Sequence, residues 1–93
     1  MMSGMASFPG GSPWAMAKDI ASGVLLVTDR TFRAFDAVQL DKVSFELERQ
    51  LRGVRGEQPP LDDTPALQDR NRRIQRLTGA ATILRNARAR QRR

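Results

Sequence analysis

The most regular hydrophobic pattern in this 93-residue chain lies near its centre. Apolar residues recur there at alternating steps of three and four positions, which places them on one narrow stripe of an α-helix. The stripe consists of Leu40, Val43, Leu47, Leu51 and Val54. Asp36 and Gln39 have the spacing of a capping box, and Gly53 and Gly56 offer left-handed C-cap positions. The pattern therefore predicts a helix over about residues 37–53.

Val38 and Phe45 fall on nearly the opposite side of this predicted helix. The helix is thus expected to contact two neighbours, one along the leucine stripe and one over Phe45. We expect the second neighbour to belong to the same chain, because small helical domains usually cover such residues. Otherwise the two side chains form an exposed site for a partner.

The N-terminal part of the chain predicts another helix. Ser12 suits an N-cap and Pro13 suits the first helical position, where its missing N–H costs nothing. One stripe continues from there without a phase slip, which predicts a single helix over about residues 13–34. The stripe consists of Trp14, Ala17, Ala21, Val24, Thr28, Phe32 and Phe35. The alternative is a helix, a short strand and a second helix, because residues 23–28 (GVLLVT) are rich in β-branched side chains.

A third helix is expected after the prolines of EQPPLDDTP, which cannot continue a helix. Thr64 before Pro65 repeats the arrangement of Ser12 and Pro13, with Asp62 and Asp63 near the positive helix end. The helix is predicted over about residues 65–90. Its apolar stripe consists of Ile74, Leu77, Ala81 and Leu84.

Small residues occupy the middle of the third predicted helix, from Thr78 to Thr82. They fit either a close approach of a neighbouring helix or a kink at Gly79. Arg70 and Arg88 fall inside the apolar stripe, at its two ends, whereas Arg72, Arg76 and Arg90 point away from it.

The three helices predict an all-α fold, either a small three-helix bundle or a helical hairpin with a packed N-terminal helix. Residues 12–90 are expected to form a single helical domain and residues 91–93 a basic tail. Residues 1–11 are rich in Met, Ser and Gly and are expected to be a disordered arm. Phe8 is the exception, because an aromatic ring beside Pro9 could dock on the fold or on a partner.

Charge is unevenly distributed along the chain. From residue 64 onward nine arginines accompany the single acid Asp69, a net charge of +8, whereas residues 1–63 hold seven basic and nine acidic residues, a net charge of −2. The C-terminal third is therefore expected to meet an acidic surface. The candidate nucleic-acid contacts are Arg72, Arg76, Arg85, Arg88, Arg90, Arg92 and Arg93.

No aromatic residue lies among these arginines, so nucleic-acid binding would be weakly sequence-specific and strongly salt-dependent. The alternative is that some of them serve the fold. In that case Arg72, Arg73 and Arg76 pair with acids of the second predicted helix or stay solvated. The acids are Asp41, Glu46 and Glu48.

The chain lacks histidine and cysteine. This removes the commonest general base near neutral pH, the commonest zinc ligand and every thiolate. We therefore expect no enzyme, no cofactor, no metal and no small-molecule substrate. No apolar run approaches the ~20 residues that cross a bilayer, and the N-terminus lacks the features of a signal peptide, so a cytoplasmic location is expected.

A short chain with a thin core favours association. We expect a non-enzymatic protein-interaction module, either self-associating or serving as a small subunit or adaptor. The residues expected to form its core or interface are Trp14, Phe32, Phe35, Leu40, Phe45, Leu47, Leu51, Ile74, Leu77 and Leu84. The alternative is a nonspecific nucleic-acid-binding protein that uses the arginine-rich C-terminal helix. A weaker alternative places the first helix on an anionic membrane, although its polar face carries only Lys18 before Arg30.

Overall fold

Four α-helices make up most of the computed structural model, which describes residues 8–91. They are α1 (Pro13–Ser22), α2 (Asp29–Arg33), α3 (Ala37–Gly56) and α4 (Thr64–Gln91). A short 3₁₀ turn (Pro9–Gly11) precedes them, and no strand occurs in this part of the chain. The predicted all-α fold is confirmed. None of the helices described is long and apolar enough to span a membrane.

The core lies mainly between α3 and α4, which run antiparallel. Arg88 near the end of α4 pairs with Asp41 near the start of α3, and Arg73 pairs with Glu57 just beyond the end of α3. Four residues of the predicted stripe of α3 are at most 4% exposed: Leu40, Val43, Leu47 and Val54. The side of α4 that is buried carries Leu77, Ala80, Leu84 and Ala87. Leu51 and Ile74 are partly buried against this core.

Helix α1 packs on both α3 and α4 and closes the core. Its buried side chains are Met16, Ala17, Ile20 and Ala21, which join Phe32 and Phe35. The predicted N-cap is confirmed, because the Ala15 N–H donates to Ser12 Oγ at 3.0 Å. The predicted capping box of α3 is also confirmed, with Gln39 N–H donating to Asp36 Oδ1 at 2.8 Å and Asp36 N–H to Gln39 Oε1 at 3.0 Å.

The single helix predicted over residues 13–34 is wrong. Gly23 has a φ of 84° and a ψ of 3°, a left-handed conformation that ends α1, and its N–H donates to the Ile20 carbonyl at 3.2 Å. The chain stays non-helical until Asp29, where α2 begins. Val24 projects into solvent, so its agreement with the apolar stripe is a coincidence of spacing. The alternative with a strand is also wrong for these residues, because no neighbouring strand pairs with them.

The ends of α3 and α4 differ from the prediction in detail. α3 continues through Gly53 to Gly56, and neither glycine has a positive φ, so the predicted left-handed C-caps are wrong. The helix ends instead where Glu57 becomes extended before two prolines. Asp63, and not Thr64, caps α4, because its Oδ1 accepts from the Ala66 N–H at 3.2 Å.

Helix α4 is continuous through its small residues. A Cβ placed on Gly79 would meet nothing within 4 Å, so no neighbouring backbone approaches closely there. Ala80 is the small residue that is buried in the core.

Residues 8–11 and Gln91 have regular structure where the prediction placed an arm and a tail. The Phe8 ring packs against Phe35 in a tilted arrangement with ring centroids 5.2 Å apart, and the Gly11 N–H donates to the Phe8 carbonyl at 2.8 Å. For residues 8–11 the predicted disordered arm is therefore wrong, and the docking alternative for Phe8 is confirmed. Gln91 belongs to α4 and not to a tail, and its Nε2 donates to the Phe35 carbonyl at 2.6 Å. Residues 1–7 of the predicted arm and residues 92–93 of the predicted tail lie outside the described residues.

Gly23→Ala is expected to lower the free energy of unfolding by about 1–2 kcal/mol, the cost of a side chain in the left-handed conformation. The new Cβ would also lie 2.9 Å from Arg76 Cζ. The control is Gly53→Ala, a helical position with open space, where the change should raise the free energy of unfolding by about 0.5–1 kcal/mol. Urea unfolding measures both, and effects of the same sign would contradict the assignment.

Candidate interaction surface

The outer face of α3 carries two large apolar side chains that nothing in the described chain covers. Val38 is 61% exposed and Phe45 is 56% exposed. The predicted second neighbour from the same chain is therefore wrong, because α1 and α4 both pack on the opposite side of α3. The two residues are seven positions apart, so they lie about 10 Å apart along the same face. Val38 and Phe45, with the charged residues between and after them, are here called the α3 outer face.

The charged groups on the α3 outer face have both signs: Asp41 and Glu46 are ion-paired, whereas Glu48 is exposed and has no ion pair within residues 8–91. Lys42 and Arg52 are exposed and form no ion pair within residues 8–91. The Arg49 guanidinium lies 5.8 Å from the centre of the Phe45 ring and also pairs with Glu46 at 3.2 Å. A cation over an aromatic face holds the ring in place and leaves its edge free for contact.

Trp14, predicted in the core or the interface, is 48% exposed on α1. The Lys18 ammonium lies 5.0 Å from the centre of its ring. Trp14 thus presents a second, smaller apolar surface. A cation lies over its aromatic ring, as Arg49 lies over Phe45 on the α3 outer face.

Two arginines of α4 bind the carbonyl ends of other helices. Arg70 donates from Nε to the Val54 and Glu57 carbonyls at 3.2 and 3.0 Å, and from Nη2 to the Arg55 carbonyl at 2.9 Å. Arg76 donates from Nη1 to the Ala21 carbonyl of α1 at 3.1 Å. The last carbonyls of a helix lack intrahelical partners and carry the negative end of the helix dipole. Arg70 therefore caps α3, which has no left-handed glycine at its end, and Arg76 adds a second cap to α1 beside that of Gly23.

Three further arginines of α4 form ion pairs. Arg73 pairs with Glu57 at 2.6 Å and with Asp69 at 2.9 Å. Arg88 pairs with Asp41 of α3, and Arg90 pairs with Asp29 of α2. The alternative that α4 arginines serve the fold is thus right in kind for Arg73 and Arg76 but wrong in their partners, and Arg72 stays solvated, as that alternative allows. Neither Arg73 nor Arg76 pairs with Asp41, Glu46 or Glu48, and Arg76 and Arg90 lie on the side of α4 that faces α1 and α2.

Of the predicted nucleic-acid contacts, Arg72 and Arg85 are exposed and make no ion pair or hydrogen bond to the part of the protein described. They are thirteen positions apart on α4, which separates them by about 20 Å along the axis and about 140° around it. They therefore do not form one basic patch. Arg92 and Arg93 lie outside the described residues.

The sequence held a signal for the two arginines that reach the ends of α3, one by capping and one by an ion pair. Arg70 and Arg88 fall inside the apolar stripe of α4, so their side chains point at the neighbouring helix and not at solvent. An arginine at the end of a packing stripe is placed to reach the partner helix's end. The contact of Arg76 with α1 had no such signal, because it depends on where α1 stops.

The described residues also bear on metal binding. They contain no group of three or more His, Cys, Asp or Glu side chains that could hold a metal ion. Asp62 and Asp63 lie on the loop before α4, where the cap made by Asp63 accounts for one of them.

The Glu57–Arg73 pair gives a testable pH dependence. Hydrogen bonds from Arg73 hold the pKa of the Glu57 carboxyl below its ordinary value, and the charges of Arg73 and Arg70 act in the same direction. A carboxyl whose pKa is lower in the folded state than in the unfolded state stabilises the fold at pH values above its unfolded pKa of about 4.3. This stabilisation is lost as the pH falls through the folded-state pKa.

Glu57→Gln is therefore expected to lower the free energy of unfolding by less than about 1 kcal/mol at pH 7, because the pair is exposed. The difference from wild type should shrink as the pH falls below about 4.3. Urea unfolding as a function of pH measures it, with Glu48→Gln as the control for loss of an exposed carboxylate without an ion pair in residues 8–91. A difference that grows towards low pH would contradict the assignment.

Comparison with known proteins adds no constraint: no family model, no curated protein and no solved structure matches the chain. The functional argument therefore depends on the residues and contacts described above.

Proposed function

We propose that this chain is a non-enzymatic protein-interaction module and that the α3 outer face is its docking site. The observation that carries the proposal is the exposure of Val38 and Phe45 on a helix whose other side is fully used in the core. Burying a phenylalanine side chain stabilises a complex by about 1.5–3 kcal/mol before the costs of association are counted. An aromatic anchor of this kind is typical of interface hot spots.

The shape of the α3 outer face favours a helical partner segment. Its two apolar side chains are two helical turns apart, the spacing that a second helix lying along α3 would match. Lys42 and Arg52 beside them favour acidic residues at the edge of that partner, and Glu48 favours a basic one. The absence of cysteine suits a reducing compartment, and we propose the cytoplasm as the setting.

The nucleic-acid alternative has weaker support. Arg76, Arg88 and Arg90, three of its proposed contacts, are bound to protein atoms. Arg72 and Arg85 remain exposed but project on different sides of α4. A nucleic acid that used Arg76, Arg88 and Arg90 would compete with their contacts to α1, α3 and α2.

Phe45→Glu is expected to leave the fold intact and to abolish association, because a carboxylate would replace the apolar anchor on an exposed position. The measurement is affinity purification of the tagged full-length chain from its native cells, quantified by mass spectrometry. At least one protein should be depleted at least tenfold by Phe45→Glu. Leu61→Glu is the matched control, because Leu61 is 92% exposed but lies on the loop between α3 and α4.

Sedimentation of the purified chain tests whether the partner is a second copy. The proposal fails if wild type is monomeric and no captured protein distinguishes Phe45→Glu from Leu61→Glu. Two results together would favour the nucleic-acid alternative instead. Nuclease treatment would remove every captured protein, and the double variant Arg72→Gln, Arg85→Gln would have the same effect.

A further inference from the structure

A second exposed surface lies on the linker Val24–Thr28, which connects α1 to α2. Exposure alternates along it: Leu25 and Val27 pack against the core, whereas Val24 is 76% exposed and Leu26 is 81% exposed. From Leu25 to Thr28 this alternation is that of an extended chain with one face on the protein, and Val24 lies at the bend that follows α1. The linker thus has the side-chain arrangement of an edge strand although no sheet is present in residues 8–91.

The backbone of the linker is largely unpaired. The Leu25 N–H donates to the Asp19 carbonyl at 3.1 Å, and the Thr28 N–H donates to Thr31 Oγ1 at 3.1 Å. The N–H groups of Val24, Leu26 and Val27 donate to no atom of the described chain. An extended chain with unpaired N–H and C=O groups is a template for the addition of another strand.

A cleft of about 170 Å³ beside the linker provides a place for a side chain of such a strand. Its walls include Leu26, Gln75 and Ile83, and Gly79 leaves its floor open because it has no side chain. Apolar atoms dominate the lining. An added strand could therefore place one apolar side chain over Gly79 while its backbone pairs with the linker.

The charges at the ends of the linker are basic. The Arg76 guanidinium lies over Gly23 at one end, and Arg72 lies one turn further along the same side of α4. Arg30 is exposed at the other end, and neither Arg30 nor Arg72 has an ion-pair partner in the described residues. The carboxylate of Asp19 is next to Gly10, and Asp29 is engaged by arginines. Acidic residues flanking the added strand would complement these charges.

We propose that the linker Val24–Thr28 binds an extended, apolar, acid-flanked segment of a partner protein by strand addition. The occupant's apolar side chain lies over Gly79, and its acidic ends lie near Arg30 and Arg72. A second copy of the linker fits less well, because the same arginines would then face each other across the pair. The surface is separate from the α3 outer face, so it does not depend on the function proposed above.

The test uses the full-length chain labelled with ¹⁵N and a synthetic peptide of alternating valine and threonine with glutamates at both ends. Peptide addition should shift the amide signals of Val24, Leu26 and Val27. The same peptide with lysines at both ends should bind at least tenfold more weakly.

Leu26→Pro should also weaken binding at least tenfold, because proline removes the N–H that pairs with the added strand. Leu26→Thr is the matched control, since it keeps the N–H and the preference for extended structure. Gly79→Leu fills the cleft from a position outside the linker and should weaken binding by a similar factor. Circular dichroism of each variant checks that its helices persist.

Several results would overturn the proposal: no shifts at millimolar peptide, equal binding of the lysine peptide, or unchanged binding by Leu26→Pro. Shifts that map to Val38 and Phe45 would place the peptide on the α3 outer face instead. A dimer that forms without peptide and is lost in Leu26→Pro would show that the occupant is a second copy. Phe45→Glu should leave peptide binding unchanged, so failure here and failure of the proposed function are distinguishable.

Discussion

The apolar seam between α3 and α4 is the contact on which the rest of the structure depends. Leu40, Leu47, Leu77 and Leu84 are among its most buried side chains, and their interdigitation fixes the antiparallel register of the two helices. That register places Arg70 at the end of α3 and Arg88 opposite Asp41. The register also determines which side of α3 remains exposed to solvent. The side of α3 that carries Val38 and Phe45 is exposed because the seam and α1 occupy the opposite side.

The arginines of α4 connect this seam to the other helices. Arg70 caps α3, Arg76 caps α1 and Arg90 reaches α2, so one helix contacts all the others through charged side chains. A guanidinium suits this task because its rigid fork of donors can bind several carbonyl oxygens at once. The net charge of the C-terminal third therefore overstates the charge available to a partner. Among the described residues of that third, Arg72 and Arg85 remain available, and they lie at separate places on α4.

Local patterns predicted much of this fold. The leucine stripe of α3, its capping box and the Ser12 cap depend on residues three or four positions apart, which sequence displays directly. The break at Gly23 could not be predicted, because a glycine ends a helix only when the surroundings favour its left-handed form, and here Arg76 lies over it from α4. The exposure of Phe45 likewise depends on how many helices surround α3. The ion pairs could not be predicted without the register between the helices. The positions of Arg70 and Arg88 inside the apolar stripe did indicate that these two side chains contact α3.

The central claim is that the arginines of α4 which face other helices stabilise the packing around the apolar seam. The unfolding free energies of Arg70→Gln and Arg72→Gln test it most directly, because the two residues share a helix and an overall charge but only Arg70 binds helix-end carbonyls. The account predicts that Arg70→Gln lowers the free energy of unfolding by about 1.5–3 kcal/mol, the range for hydrogen bonds to charged groups. Arg72→Gln should stay within about 0.5 kcal/mol of wild type. Equal, small effects of the two substitutions would contradict the claim. They would mean that Arg70, like Arg72, acts as an exposed basic side chain and does not stabilise the fold.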